Sequence, residues 1–114
     1  MENSKLVEKS KKFAVNCIKF LKEEKFKFSL IDQLIRSSTS IGANIHEAYY
    51  ASSKADFISK LHIALKECYE SEYWFEILIQ SDVLDEKYYT LQRDCVEIKR
   101  MLISSLNTSK ISKN

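Results

Sequence analysis

Histidine and serine side chains are the first residues of this 114-residue sequence to consider for metal or catalytic chemistry. A di-iron site in a helical bundle needs the motif Glu-x-x-His on two of its helices. The residues three positions before His46 and His62 are Ala43 and Ser59, so neither histidine belongs to that motif. A nucleophilic serine in a Gly-x-Ser-x-Gly turn is also missing from the sequence. We therefore predict no catalytic residue and no cofactor.

Glu67 and Glu70 form a carboxylate pair whose spacing could suit acid–base chemistry. An offset of three residues places both on one side of a helix, and Trp74 follows on the same side. This neighbourhood favours ion pairing at a contact between helices over catalysis. The sequence thus indicates a protein that is not an enzyme.

Three cysteines, Cys17, Cys68 and Cys95, are the remaining candidates for metal binding. Their odd number and wide spacing fit neither a disulfide framework nor a Cys-x-x-Cys zinc site. Each falls on the apolar face of a predicted helix, where a buried cysteine usually acts as a small hydrophobic residue. They could also approach one another and bind a soft metal, but we predict no metal site. Unpaired thiols indicate a reducing, cytoplasmic compartment.

The composition favours helices throughout the chain. Gly42 is the single glycine and proline is absent, whereas sheets, Rossmann folds and P-loops depend on these residues in their turns. Apolar residues make up 45% and charged residues 30%, which is typical of a globular protein. No apolar run is long enough to span a membrane, and the first residues resemble no signal peptide. We expect no membrane contact.

Apolar residues recur at helical spacing in four segments, over about residues 3–24, 29–51, 53–80 and 84–106. Ser29 and Ser53 are each followed three residues later by an aspartate, and they predict the N-caps of the second and third helices. On the first helix the expected buried stripe is Leu6, Phe13, Ala14, Cys17, Ile18, Phe20 and Leu21. Helices of this length with short connections predict an all-α fold, an antiparallel up-down-up-down four-helix bundle. We expect residues 1–106 to form one domain and residues 107–114 a flexible C-terminal tail.

The outward faces of the second and third helices differ from an ordinary solvated surface. The back of the second helix is compact and polar, and the third helix carries a second apolar strip interrupted by carboxylates. A helix that is apolar on two sides must bury the second side against a partner, and tryptophan is enriched at binding hot spots. The simplest partner is another copy of this chain. The predicted oligomer interface comprises Arg36, Ser40, Asn44, Glu47, Ile63, Glu67, Glu70, Trp74 and Ile77.

Charge is unevenly distributed along the chain, although the net charge is only +2. Residues 1–28 and 87–114 each carry a net charge of +4, and residues 54–86 carry −5. Basic helix faces could contact the phosphates of a nucleic acid, but the lysines alternate with carboxylates as they do on a solvated helix. The candidate nucleic-acid contacts are Lys5, Lys11, Lys12, Lys19, Arg93, Lys99 and Arg100.

Two blocks of the sequence resemble a known family. The first is residues 33–48, QLIRSSTSIGANIHEA, and the second includes Phe57, residues 64–67 and residues 70–74. Over about residues 6–106 the chain is similar to the four helix bundle protein family, whose early members are encoded in intervening sequences of bacterial large-subunit ribosomal RNA genes. The resemblance implies a small cytoplasmic bacterial protein that assembles as a homopentamer, without catalytic residues to carry over. A related family of diversity-generating retroelement accessory proteins, also pentameric, is thought to bind nucleic acid.

Two functions follow as expectations. The leading one is a non-enzymatic, pentameric scaffold that binds copies of itself and a protein partner. The alternative is a ring that binds RNA or DNA through its lysine-rich helix faces. One question about the interface stays open at this point. Arg36 and Asn44 could meet Glu67 and Glu70 of a neighbouring chain, or the pairing could lie within one chain.

Overall fold

The computed structural model describes residues 2–111, and the side chains of residues 5–109. Four α-helices follow one another: α1 (Glu2–Leu21), α2 (Leu30–Ala48), α3 (Lys54–Gln80) and α4 (Tyr89–Ile111), with a 3₁₀ turn (Glu86–Tyr88) leading into α4. The described residues contain no β-strand, so the all-α prediction is confirmed. α2 packs against α1 and α3, and α4 packs against the same two helices. Within this part of the chain, every helix is too short or too polar to cross a membrane.

Ser53 begins α3 as predicted. Its backbone is extended, and its Oγ accepts a hydrogen bond from the Asp56 N–H at 3.1 Å. Ser29 does not cap α2 with its side chain, so that prediction is wrong. Its backbone is already helical, with φ −60° and ψ −27°, and its carbonyl accepts from the Asp32 N–H instead. The connection from α1 therefore enters α2 through a helical turn.

α4 extends beyond its predicted end at residue 106. Leu106 is the last buried side chain among those described, but the helix continues to Ile111. The polar residues after Leu106 do not continue the apolar pattern from which the helix was predicted. Backbone hydrogen bonds nevertheless extend a helix that is already formed. Residues 107–111 are thus helical where a flexible tail was expected, and residues 112–114 lie outside the described residues.

One buried cluster takes side chains from all four helices, and most of the predicted apolar stripes lie in it. On α1, Ile18 and Phe20 are about half exposed, so their assignment to the core is wrong. The buried stripe of α1 runs through Leu6, Ser10, Phe13, Cys17 and Leu21. Ile18 and Phe20 flank that stripe, because a helix that packs on two neighbours buries only its central face.

α1 and α2 approach each other closely at Gly42. A Cβ atom added to Gly42 would lie 3.2 Å from the backbone oxygen of Ser10, which is tighter than ordinary packing. Ser10 is itself buried, and its hydroxyl donates to the Val7 carbonyl at 3.0 Å. The single glycine of the sequence therefore lies where two helix backbones nearly touch.

α2 and α3 share a buried polar contact. Ser71 Oγ donates to Ser37 Oγ at 2.8 Å, and Ser37 Oγ donates to the Leu34 carbonyl at 3.3 Å. Both serines are fully buried. Ser37 thus lies on the side of α2 that faces α3. A small hydroxyl with two partners fills this position without leaving an unpaired polar group.

Candidate interaction surfaces

A polar network joins the edges of α2 and α3. Arg36 Nη1 lies 3.4 Å from Glu67 Oε1, and Arg36 Nη2 donates to Glu70 Oε2. Trp74 Nε1 donates to the same Glu70 oxygen at 3.0 Å. Of the two arrangements that the sequence left open, the structure contains the one within a single chain. The pairing of Arg36 with Glu67 and Glu70 of a neighbouring chain stays a prediction.

The charge states of this network follow from its hydrogen bonds. Two hydrogen bonds lower the pKa of the Glu70 carboxyl, and the bond from Arg36 has a larger effect than the bond from Trp74. The bond to Glu70 in turn raises the pKa of Arg36. The Arg36 side chain is 49% exposed and that of Glu70 is 34% exposed, so water screens the pair. We expect it to contribute about 1 kcal/mol or less.

Three other polar members of the predicted interface lie along the same edge of α2. Asn44 Nδ2 donates to the Ser40 carbonyl at 2.9 Å and lies 3.2 Å from Ser40 Oγ. Glu47 Oε1 lies 3.5 Å from Nζ of Lys60 on α3. Asn44 thus bonds to its own helix within the chain, and its contact with Glu67 and Glu70 of a neighbouring chain stays a prediction. These groups tie α2 to itself and to α3.

The apolar strip predicted on α3 is partly buried. Trp74 and Ile77 pack against the core, and Ile63 is partly exposed at its edge. Two tyrosines that the sequence argument did not single out extend the strip: Tyr69 is 53% exposed and Tyr73 is 59% exposed. The four-residue spacing from Tyr69 through Tyr73 to Ile77 was the signal that could have found them. α3 therefore presents an outward face rich in aromatic side chains.

α1 presents a smaller apolar patch on its outward side. Val15 and Ile18 are each about half exposed and lie three residues apart. Two charged residues are exposed on the same side of α1. Glu8 lies seven residues before Val15, and Lys19 lies four residues after it. In the described part of the chain neither of them forms an ion pair or a hydrogen bond. This patch was missed because the apolar pattern assigned Ile18 to the core.

The basic residues considered for nucleic-acid contact are dispersed. Lys5, Lys12 and Arg100 line one open depression between α1 and α4. Glu8 and Glu97 line the same depression, which lowers its positive potential. The structure thus brings together three of the seven predicted residues, and it mixes them with acids.

The other four basic residues lie elsewhere. Lys99 faces α3, with its Nζ 2.9 Å from Glu72 Oε2 and 5.1 Å from the centroid of the Tyr69 ring. Arg93 lines a second depression, on the outer side of α4, together with Arg100 and the acids Asp94 and Glu97. Lys11 and Lys19 are exposed on α1. Lys99 is therefore already neutralised by a partner within the chain.

The three cysteines lie in the core as free thiols. Cys95 Sγ donates to the Cys68 carbonyl at 3.5 Å. Burial raises the pKa of Cys17 to about 12, and hydrogen bonding with Cys68, together with burial, raises the pKa of Cys95. Neutral thiols are weak nucleophiles and weak metal ligands. Across the described residues, no group of three or more His, Cys, Asp or Glu side chains has the arrangement of a metal site.

Comparisons with known proteins agree with the resemblance drawn from residues 33–48 and 57–74. The family model described as 23S rRNA-intervening sequence protein matches residues 2–104. The fold is similar to the crystal structure of a protein with unknown function from the S23 ribosomal protein family of Bacteroides thetaiotaomicron, at 44% sequence identity and a TM-score of 0.87, covering 94% of this chain and 99% of that one. A search of curated proteins finds no match. The chain belongs to the 23S rRNA-intervening sequence protein family.

Proposed function

We propose that this protein is a non-enzymatic scaffold that assembles from copies of itself, five in number, as the resemblance to its family implies. The observation that carries the proposal is the outward face of α3, where Tyr69 and Tyr73 are more than half exposed and Ile63 is 39% exposed. Exposed aromatic patches on one face of a protein are typical of protein–protein interfaces. The free thiols support a cytoplasmic location.

The proposal includes antiparallel packing of neighbouring helices in one domain, supported by the order of contacts along each pair. Between α2 and α3, Ser37 contacts Ser71, and Glu47 contacts Lys60. Glu47 comes after Ser37 on α2, whereas Lys60 comes before Ser71 on α3. The same order holds between α1 and the segment of the 3₁₀ turn and α4, in the pairs Lys9–Glu97 and Phe20–Tyr88. Positions that advance along one helix and recede along its neighbour are expected of an up-down-up-down bundle.

The proposal is tested by measuring mass with light scattering coupled to size-exclusion chromatography. We expect the wild-type protein to elute as five copies and Tyr73→Ala to shift towards the monomer, because it removes an exposed aromatic side chain from the interface. Phe26→Ala is the matched control, since Phe26 is 89% exposed on the connection between α1 and α2. A wild-type protein that is monomeric at every concentration would refute the proposal.

A nucleic-acid-binding ring is the second candidate, and one observation favours it. Lys5, Lys12 and Arg100 line a shared depression between α1 and α4, and a ring would repeat that depression in each subunit. The test is binding to total cellular RNA at increasing salt. Affinity that falls steeply with salt and weakens in Arg100→Glu would support this candidate. Failure to bind at low salt would exclude it.

A further inference from the structure

The outward stripes of α1 and α3 carry complementary side chains. The stripe on α1 contains Glu8, Val15 and Lys19, and the stripe on α3 contains Lys66, Tyr73 and Glu76; all six are exposed. Both stripes thus have an apolar centre between two charges of opposite sign. The sign order along α1, acidic and then basic, is the reverse of the order along α3.

In the described part of the chain none of the four stripe charges forms an ion pair with another helix, and Lys66 interacts electrostatically only with Glu70 on its own helix. Glu8, Lys19 and Lys66 form no ion pair or hydrogen bond in the described part of the chain. Glu76 accepts only from Gln80 Nε2 at 3.3 Å, on its own helix. α1 and α3 pack mainly on α2 and α4, so their outward sides can meet only between copies.

Contacts across the bundle give the relative height of the two stripes. Ser10 on α1 lies against Gly42 on α2. Val15 comes five residues after Ser10 on α1, and Ser37 comes five residues before Gly42 on α2. Val15 is therefore level with Ser37. Ser37 in turn accepts the hydrogen bond from Ser71 on α3. With neighbouring helices antiparallel, Val15 is therefore level with Ser71, two residues before Tyr73.

The same heights align the flanking charges. α1 and α3 run in the same direction in such a bundle, so each step along one helix matches a step along the other. Two bundles placed side by side, with α1 of one against α3 of the next, then have three facing pairs, each level to within one helical turn. These pairs are Glu8 with Lys66, Val15 with Tyr73, and Lys19 with Glu76.

We propose that the copies associate by this contact, the outward stripe of α1 on one copy docking in parallel against the outward stripe of α3 on the next. The contact is heterologous, because each chain offers two different surfaces. The net charges of +4 over residues 1–28 and −5 over residues 54–86 attract the two surfaces towards each other. This inference rests on the proposed function, since it specifies how the self-association occurs.

The test exchanges the charges of one stripe without changing net charge. The variant Glu8→Lys/Lys19→Glu reverses the α1 stripe, and Lys66→Glu/Glu76→Lys reverses the α3 stripe. Each places two like-charged pairs at the contact, and we expect each to raise the dissociation constant between copies about tenfold. The variant with all four substitutions restores both pairs, and its dissociation constant should return close to that of the wild type.

Controls separate the possible outcomes. The exchange Lys54→Glu/Glu86→Lys lies off both stripes and should leave association unchanged, and circular dichroism verifies that each variant is helical. A wild-type protein that is monomeric overturns the proposed function and this inference together. A wild-type oligomer whose two stripe variants associate normally overturns the inference alone. The inference also fails if the four-substitution variant stays as dissociated as its parents.

Discussion

At Glu70, two donors hold a carboxylate in its ionised form on a partly exposed edge of the bundle. Arg36 reaches it from α2, and Trp74 reaches it from one turn further along α3. Together these bonds lower the pKa of Glu70. Because the pKa of Glu70 is lowered only in the folded state, the stability that this contact between α2 and α3 contributes depends on pH.

We expect Glu70→Gln to lower the free energy of unfolding by about 1 kcal/mol at neutral pH, because it removes the charge that both donors bind. The folded pKa lies below the ordinary value of 4.5, so this stabilisation is complete above that value and is lost as the pH falls through the folded pKa. Urea unfolding at neutral pH and at about pH 3 would show the difference shrinking. Glu23→Gln, at an exposed position, is the control. An equal loss at both pH values would contradict the prediction.

At the scale of elements, the closest approach in the bundle is that of α1 to α2 at Gly42. Alanine there would gain about 1 kcal/mol of helix propensity but would press its Cβ on the Ser10 carbonyl, 3.2 Å away. We expect these effects nearly to cancel in Gly42→Ala. Gly42→Leu should cost about 2 kcal/mol or more, because α1 must move aside. Thermal unfolding measures both, with Ala43→Leu on the exposed side of α2 as control; a stable Gly42→Leu would contradict the close approach.

The pair Ser37 and Ser71 connects α2 to α3 in the core. We expect Ser37→Ala to cost about 1–3 kcal/mol, because it leaves the buried hydroxyl of Ser71 without its acceptor. The double variant Ser37→Ala/Ser71→Ala removes both partners, so its cost should be smaller than the sum of the two single costs. A double-mutant cycle on urea unfolding measures this coupling. If the cost of the double variant equals the sum of the two single costs, the hydrogen bond contributes nothing to the free energy of unfolding.

For the molecule as a whole, the cysteines report whether the bundle is intact. Cys17, Cys68 and Cys95 come from three different helices and are fully buried. Burial raises the pKa of Cys17 to about 12, so the reactive thiolate is scarce at neutral pH. We expect no reaction of these thiols with a disulfide reagent in the native protein and reaction of all three in denaturant. Rapid labelling of any of them under native conditions would show that the core opens.

The helices could be predicted from the sequence because their apolar residues recur at one spacing over long segments. Ser53 was also predictable, since its cap needs only its own neighbours. The role of Ser29 was not, because it depends on how the chain leaves α1. Ile18 and Phe20 lie at the edges of a buried stripe, and periodicity does not say how wide the buried face is.

The interaction surfaces were less predictable than the helices. The spacing of Glu67, Glu70 and Trp74 placed them on one side of α3, and the structure agrees. Whether Arg36 meets them within the chain depends on the register of α2 on α3. That register is set by small buried side chains such as Ser37, which carry no hydrophobic signal. Tyr69 and Tyr73 have apolar rings with polar ends, so pattern alone does not say that they face outwards.

The position of Trp74 gives the protein a built-in optical reporter. It is the single tryptophan of the sequence, and its indole N–H is hydrogen-bonded at the junction of α2 and α3. Indole emission moves to longer wavelength when water replaces a protein environment around the ring. The separation of these two helices can therefore be followed by intrinsic fluorescence, with no label attached and no background from a second tryptophan.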